Sequence, residues 1–395
     1  MTLLLTARQL GPSLYGQYAG TLALASFSAI LFNLGFDAWL LREGGLARDR
    51  LGVQVGNVLR IKLGLGSLWL VSWAILAAWI DSATFPASLM RLSALTIFLD
   101  GLLLTFLTAF RASLKNRITF LLEGASDAAW FLATLALIWR EQDSPGAYFQ
   151  IRILILAATV TIGAIAVHRL TGISPAKRRT IATLRTALPF ATSDLLAWLY
   201  LRFDVIIIGF TLGEAAVGLY APAVSLVNAF FLIPGAVYTT LVPVLSRLVA
   251  DEPGRAWRTA RQSLLFLAGL GALMTVGLFL GAEPLIGLLG DRFAGSVPVL
   301  KILAWLLWIH AIVFGLAAII VVSNLQGRRT AIQGIAAIVN IGLNFWLVRY
   351  LGLIGVAWVY VLTDIVLLAG YAWIVFRHFP RHTVNPTNSD SPGLV

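Results

Sequence analysis

The sequence predicts an all-α polytopic membrane protein of about twelve transmembrane helices, eleven complete and the first truncated, in two parallel six-helix lobes. Three observations carry this expectation. Apolar residues make up 59% of the 395 and charged residues only 12%, with a mean hydropathy of +0.87, whereas a soluble domain carries about 25% charge. Apolar stretches of about 20 residues, the length that crosses a bilayer as a helix, recur along the whole chain. A short motif also recurs six spans apart, the mark of a duplicated unit.

The spans follow from apolar windows read in order. Residues 1–10 are the tail of a first span, and complete spans lie near 19–41, 62–80, 92–110, 118–139, 149–167 and 186–210. Five more lie near 219–246, 263–282, 299–322, 331–349 and 353–376. The connections after the even-numbered spans, with the tail, hold 21 of the 29 Lys and Arg, and the opposite connections hold six. Arg8 and Arg202 lie inside spans. The positive-inside rule therefore places both termini in the cytoplasm, and the net charge of +11 is topological and does not mark a nucleic-acid surface. The Lys177-Arg178-Arg179 cluster reads the same way, as topology and contact with membrane-lipid headgroups. Trp79, Trp139 and Trp373, near span ends, read as interfacial anchors.

Several chemistries are excluded early. No cysteine is present, so disulfides, thiolate metal sites and a cysteine nucleophile are out, and four scattered histidines show no metal spacing. Residues 1–10 lack the basic segment and cleavage site of a secretory signal. The tail 377–395, rich in Pro, Asn, Thr and Ser, reads as a disordered cytoplasmic end.

The repeat sets the domain organisation. LGPSLYGQYA, Leu10 to Ala19, and LGEAAVGLYA, Leu212 to Ala221, match at five of ten positions. Leu10, Gly11, Gly16, Tyr18 and Ala19 correspond to Leu212, Gly213, Gly218, Tyr220 and Ala221, with glycines suited to the turn between two antiparallel helices. A weaker echo pairs Ser113 to Arg117 with Asn324 to Arg328. Both echoes are six spans apart, so helix direction is preserved and the lobes are parallel repeats about an axis along the membrane normal. The expected organisation is an N-terminal lobe over 1–170, a basic cytoplasmic linker over 171–185, a C-terminal lobe over 186–376 and the tail. By the same offset the first helix would start about 14 to 16 residues before Met1, which predicts a longer upstream reading frame.

The stretch from Leu10 through Asn33-Leu34-Gly35-Phe36 to Leu41-Arg42-Glu43 resembles the polysaccharide-export branch of the multidrug/oligosaccharidyl-lipid/polysaccharide (MOP) exporter superfamily. So does Arg202-Phe203-Asp204 through Gly218-Leu219-Tyr220 to Pro243-Val244-Leu245-Ser246-Arg247. The branch comprises the lipid-linked oligosaccharide flippases. The resemblance implies two six-helix bundles, alternating access, and export of an isoprenoid-pyrophosphate-linked sugar across a bacterial inner membrane. Other polysaccharide-assembly proteins are implied as partners. No cofactor is expected beyond Na+ or H+ coupling.

Ionisable groups at bilayer depth cost a few kcal/mol, roughly 2.5 to 3.5 on insertion scales, which makes each a functional candidate. Asp100, Asp127, His310, Asn340 and Asp364 fall near the predicted midplane, with Arg202 about 4 to 5 Å beyond it. Arg202 is the substrate-binding candidate: a guanidinium gives a bidentate fork to a pyrophosphate and stays charged when dehydrated. The alternative is an ion pair that only holds helices together. Asp204 lies about 200° around the helix from Arg202, so the two cannot share a cavity and Asp204 suits a structural or cation-site role.

Glu123 and Asp127, four apart on one face of span five, form a carboxylate pair that could carry a coupling proton, although a salt bridge from Glu123 to Arg117 competes with that reading. Asn340 and Asn344 share a face of span eleven, with Thr363 and Asp364 in span twelve, an oxygen set suited to a hard cation. His310 could titrate near neutrality or simply pack. Pro234-Gly235, midway along span eight, suggests a hinge or a packing irregularity. Gly277 and Gly281 mark close helix contact.

Two other functions are open to the sequence. A cation-coupled drug or metabolite antiporter of the same architecture would need only the acidic residues, and a non-transporting scaffold needs none. An enzyme such as a polymerase or ligase would call for a long outer loop with catalytic groups, and the outer connections are short.

Overall fold

The computed structural model describes residues 2–174, 183, 184, 186, 187 and 203–384. Among them every regular element is helical. The chain forms two compact units, Met1–Ala221 and Pro222–Val395, so the division falls after the second copy of the repeated motif and beyond the basic linker expected at 171–185.

In the first unit α1 (Thr2–Ser28) is interrupted at Gly11, where φ is 71°, so residues 2–10 are the fragmentary first span and the remainder opens the second. Leu34 and Gly35, at φ 41° and 67°, then separate α2 (Ile30–Asn33) from α3 (Phe36–Leu46). The second span is consequently bent by 45°, a conformation glycine adopts without steric penalty. Four long helices follow: α4 (Leu51–Ile80), α5 (Ala87–Ala112), α6 (Asn116–Trp139) and α7 (Pro145–Thr171). The α5 span is 67% buried against 22% for α4 and for α7, which makes α5 the core helix and leaves its neighbours turned towards lipid.

Aromatic packing and one ion pair hold this unit. Phe32, Trp69, Trp73 and Phe98 stack in series at 5.0 to 5.8 Å. The two indole N–H groups donate to Ser28 Oγ and to the Met90 carbonyl, as buried tryptophans require. Lys62, which charge counting placed in a cytoplasmic connection, is fully buried on α4. Its Nζ lies 2.7 Å from Asp37 Oδ2 and donates at 3.1 Å to the Gly101 carbonyl, while Thr105 donates to the same carboxylate. A buried ammonium persists only when paired and hydrogen-bonded in this way.

Of the seventh span, residues 203–211 are described as a helix, α8, and the tight turn at Gly213, φ 85°, leads into α9 (Glu214–Asp251). The second unit continues with α10 (Pro253–Leu280), the short α11 (Ala282–Gly287), α12 (Ser296–Leu303), α13 (Trp305–Val322) and α14 (Gln326–Val384). Gly352, at φ 55° and ψ −138°, breaks α14 into the two spans expected there. Span ten, α12 with α13, is the buried helix of this unit, at 61%. Gly271 lets α10 approach the α13 backbone at Trp308, where a β-carbon would stand only 2.9 Å away, the close contact that small residues permit between membrane helices.

Two expectations need correction. The tail is helical as far as Val384, because Arg377 stacks on Trp373 at 5.3 Å and His378 reaches the Ile374 carbonyl; residues 385–395 lie outside the described set. The weaker echo is real, but its register is displaced by one. The helices on either side end at Ser113 and Ser323, and the left-handed residues are Leu114 and Asn324, so the turns correspond at an offset of 210 and not 211.

Candidate functional site

The first unit carries a cavity of about 410 Å³ lined by the polar or aromatic Tyr18, Thr96, Asp100, Asp127, Trp130 and Arg152 together with Leu3, Leu22 and Ile97, among others. Asp100 lies mid-way along α5 and Asp127 mid-way along α6, so both carboxylates sit at mid-membrane depth. Arg152 enters from the first third of α7. Its guanidinium lies 5.7 Å from the Trp130 ring centroid, within cation–π range, and its Nη1 stands 4.0 Å from Asp127 Oδ1. That nitrogen is buried without a hydrogen-bond acceptor, while the Asp127 side chain is 77% exposed against 19% for Arg152. The cavity thus offers acceptor oxygens, an anchored donor with capacity to spare, and an aromatic floor that continues through Tyr148, 6.4 Å from Trp130.

A second polar cluster lies within the second unit. His310 of α13 stacks on Phe231 at 4.3 Å and meets Phe314 at 5.0 Å. Its Nδ1 is 2.8 Å from Oδ2 of the fully buried Asp364. Beyond the Gly352 break the two halves of α14 face each other: Asn340 donates to Thr363 Oγ1, Asn344 donates to Asn340 Oδ1, and Thr363 donates to the Val359 carbonyl. Asp364 Oδ1 and Asn344 Oδ1 are buried without a donor. Orphaned oxygens of this kind suit a proton or a hard cation. Among the described residues, no three His, Cys, Asp or Glu side chains gather as metal ligands.

Arg202 lies outside the described residues. Asp204 is buried on α8, where Oδ1 accepts from the Val205 amide at 2.8 Å and Oδ2 from the Tyr220 hydroxyl at 2.5 Å, a contact that ties α8 to α9. Glu123 and Asp127 each face a cation from another helix, since Arg111 of α5 meets Glu123 at 2.6 Å and Arg152 meets Asp127. Arg117 is not the partner of Glu123, because six residues carry it about 240° around α6. Pro234 and Gly235 lie inside the unbroken α9; the abrupt helix break in this part of the repeat is at Leu34-Gly35 of the first unit.

Arg152 is one of the six Lys and Arg that the charge count assigns to the outer connections, although it stands three residues inside the span expected at 149–167. The signal was its depth.

The description "Polysaccharide biosynthesis protein" belongs to the family model that matches residues 1–249. No curated protein matches the sequence. Among solved structures, a multidrug resistance MATE family transporter of the MOP superfamily in an inward-facing conformation superposes with a TM-score of 0.79 at 13% identity, over 98% of this chain and 95% of that one. The lipid II flippase MurJ, inward closed, gives 0.66 at 15% identity over 97% and 88%. A MOP superfamily transporter from Pyrococcus furiosus Vc1 gives 0.61 at 14% over 96% and 94%. The two-lobed membrane fold of these transporters is therefore the fold of this chain.

Proposed function

Because the chain belongs to the polysaccharide biosynthesis protein family, we propose that it flips an isoprenoid-pyrophosphate-linked oligosaccharide or polysaccharide repeat unit across a bacterial cytoplasmic membrane by alternating access, without enzymatic chemistry. The cavity around Asp100, Asp127 and Arg152 carries this reading. A saccharide crossing hydrocarbon loses its water, and each hydroxyl left without a partner costs roughly 2 to 7 kcal/mol. Two carboxylates accept from such hydroxyls, the free donor capacity of Arg152 serves ring and glycosidic oxygens, and the Trp130 face packs against the apolar side of a sugar ring.

Arg202 remains the proposed partner of the pyrophosphate. Asp364, with His310 and the Asn340–Asn344 pair, is proposed to bind the coupling ion, Na+ or H+; the two unpartnered oxygens there support this assignment. Proteins of polysaccharide assembly would deliver and receive the lipid-linked unit.

The test is reconstitution of the full chain with a labelled isoprenoid-pyrophosphate sugar. A charge-assisted hydrogen bond is worth about 1.5 to 3 kcal/mol, so Arg152→Ala and Arg202→Ala should each slow translocation about tenfold or more. Absence of translocation by the unaltered protein would sink the reading, and undiminished transport by Arg152→Ala would remove the cavity from the path.

The exposed Asp127 carboxylate favours one competing reading, a cation-coupled drug antiporter. Efflux of ethidium driven by a sodium or proton gradient, and lost in Asp127→Asn, would select it.

A further inference from the structure

A second groove, of about 430 Å³, lies where α9 hands over to α10, lined by Pro243, Val244, Arg247, Leu248, Arg255 and Thr259. The corner is tight. The Glu252 amide donates to the Leu248 carbonyl, and the Arg255 and Ala256 amides donate to that of Glu252, so the two helices turn with almost no loop. The apolar spans run to Val249 on one side and resume at Gly254 on the other, which sets the groove at the membrane–water boundary.

The lining is divided by chemistry. Pro243, Val244 and Leu248 form the apolar part of the lining, with Val244 half exposed. Arg247, Arg255 and Thr259 supply its polar groups. Arg247 has no ion-pair or hydrogen-bond partner among the described residues. Arg255 engages Glu252 only at 3.3 to 3.4 Å and is 66% exposed, a surface pair of little net worth. Between residues 247 and 261 four arginines face two carboxylates, so the corner is electropositive.

We propose that this groove binds the phosphate of an anionic membrane-lipid headgroup, with Arg247 and Arg255 as the phosphate forks and the Pro243–Val244–Leu248 wall against the glycerol and the upper acyl chain. Guanidinium forks match phosphate oxygens in pairs. An apolar wall beside them matches a ligand whose charge is tethered to hydrocarbon, and would be wasted on a free phosphate ion. The site is separate from the saccharide cavity and does not depend on the transport reading.

The experiment uses the full-length protein in phosphatidylcholine nanodiscs doped with phosphatidylglycerol, with bound lipid counted by native mass spectrometry. The unaltered protein should retain phosphatidylglycerol over phosphatidylcholine. Removing both forks in Arg247→Gln/Arg255→Gln should lower that retention about thirtyfold, since each basic residue near the surface contributes roughly 1 kcal/mol and the two together about 2. Arg258→Gln/Arg261→Gln, which removes equal charge outside the groove, should lower it several-fold less, because those guanidiniums do not line the groove and cannot fork the bound phosphate. Equal losses in the two variants would reduce the effect to net charge and overturn the site. So would no preference in the unaltered protein, or displacement of the lipid by inorganic phosphate.

Discussion

Gly16 and Gly218 hold equivalent positions in the repeated motif, and each packs against the helix start of the other copy, within the first compact unit. A β-carbon on Gly16 would overlap the Glu214 carbonyl oxygen and stand 2.9 Å from the Gly218 nitrogen, and one on Gly218 would overlap the Pro12 carbonyl oxygen. Pro12 and Glu214 are themselves equivalent, at the same offset of 202 residues. The contact is therefore reciprocal, the relation that two copies of one element have about a twofold axis. Their neighbours Gly11 and Gly213 both take positive φ, 71° and 85°, where each copy starts.

Backbone atoms cannot swing aside as a flexible side chain can. Gly16→Ala and Gly218→Ala should each force the helices apart and cost about 1 to 3 kcal/mol or more, the range of core overpacking. Gly11→Ala and Gly213→Ala act through the turn instead, and each should cost about 1 to 3 kcal/mol for a β-carbon held at positive φ. Thermal unfolding in detergent would check this; an unchanged midpoint in Gly218→Ala would contradict the packing.

The motif was legible because glycine and tyrosine at a fixed offset carry the geometry in the sequence itself. The spans were legible from hydropathy, which the membrane imposes helix by helix. The side-chain partners were not. Arg152 and Lys62 looked like loop charges because counting by connection ignores depth, and what shelters each is a group distant in sequence: Asp127 and Trp130 for one, Asp37 and Gly101 for the other. The echo at Ser113 misled by one residue, since its letters matched best in a register that the turn itself does not use. The partner of Glu123 was missed because the last turn of α5 comes back alongside α6, a fact of packing and not of spacing.

The Lys62–Asp37 pair sits where neither charge can be abandoned. Lys62→Met alone leaves the Asp37 carboxylate with only the Thr105 hydroxyl, and Asp37→Leu alone leaves a fully buried ammonium. Each single change should cost about 3 to 5 kcal/mol. The double variant should recover much of that loss, because two apolar side chains then replace a desolvated pair. A double-mutant cycle by unfolding measures the coupling, and additive losses would show that the pair is not the unit of stability.

The His310–Asp364 contact separates folding from coupling. His310→Phe preserves the aromatic stack on Phe231 but strips the buried carboxylate of its 2.8 Å partner, and should cost about 1 to 3 kcal/mol. Asp364→Asn keeps a carbonyl oxygen facing the ring and removes the charge, so stability should hold within about 1 kcal/mol while ion-driven transport is lost. A variant that folds and still couples to the gradient would strip Asp364 of the coupling role.

Within the saccharide cavity the decisive comparison is Arg152→Lys against Trp130→Leu. Lysine keeps the positive charge, yet it has no planar fork to lay on the indole and holds its ammonium hydrated. If Arg152 acts only as a counterion to Asp127 at 4.0 Å, Arg152→Lys should transport almost normally. If it is an oriented donor, Arg152→Lys and Trp130→Leu should fall together, each by about fivefold to thirtyfold, for loss of a contact worth about 1 to 2 kcal/mol. Their combination should then cost little more than either alone, since both changes release the same guanidinium. Translocation measured in proteoliposomes on the four-member cycle decides between them. Full additivity would assign Trp130 to the sugar face and Arg152 to a separate contact.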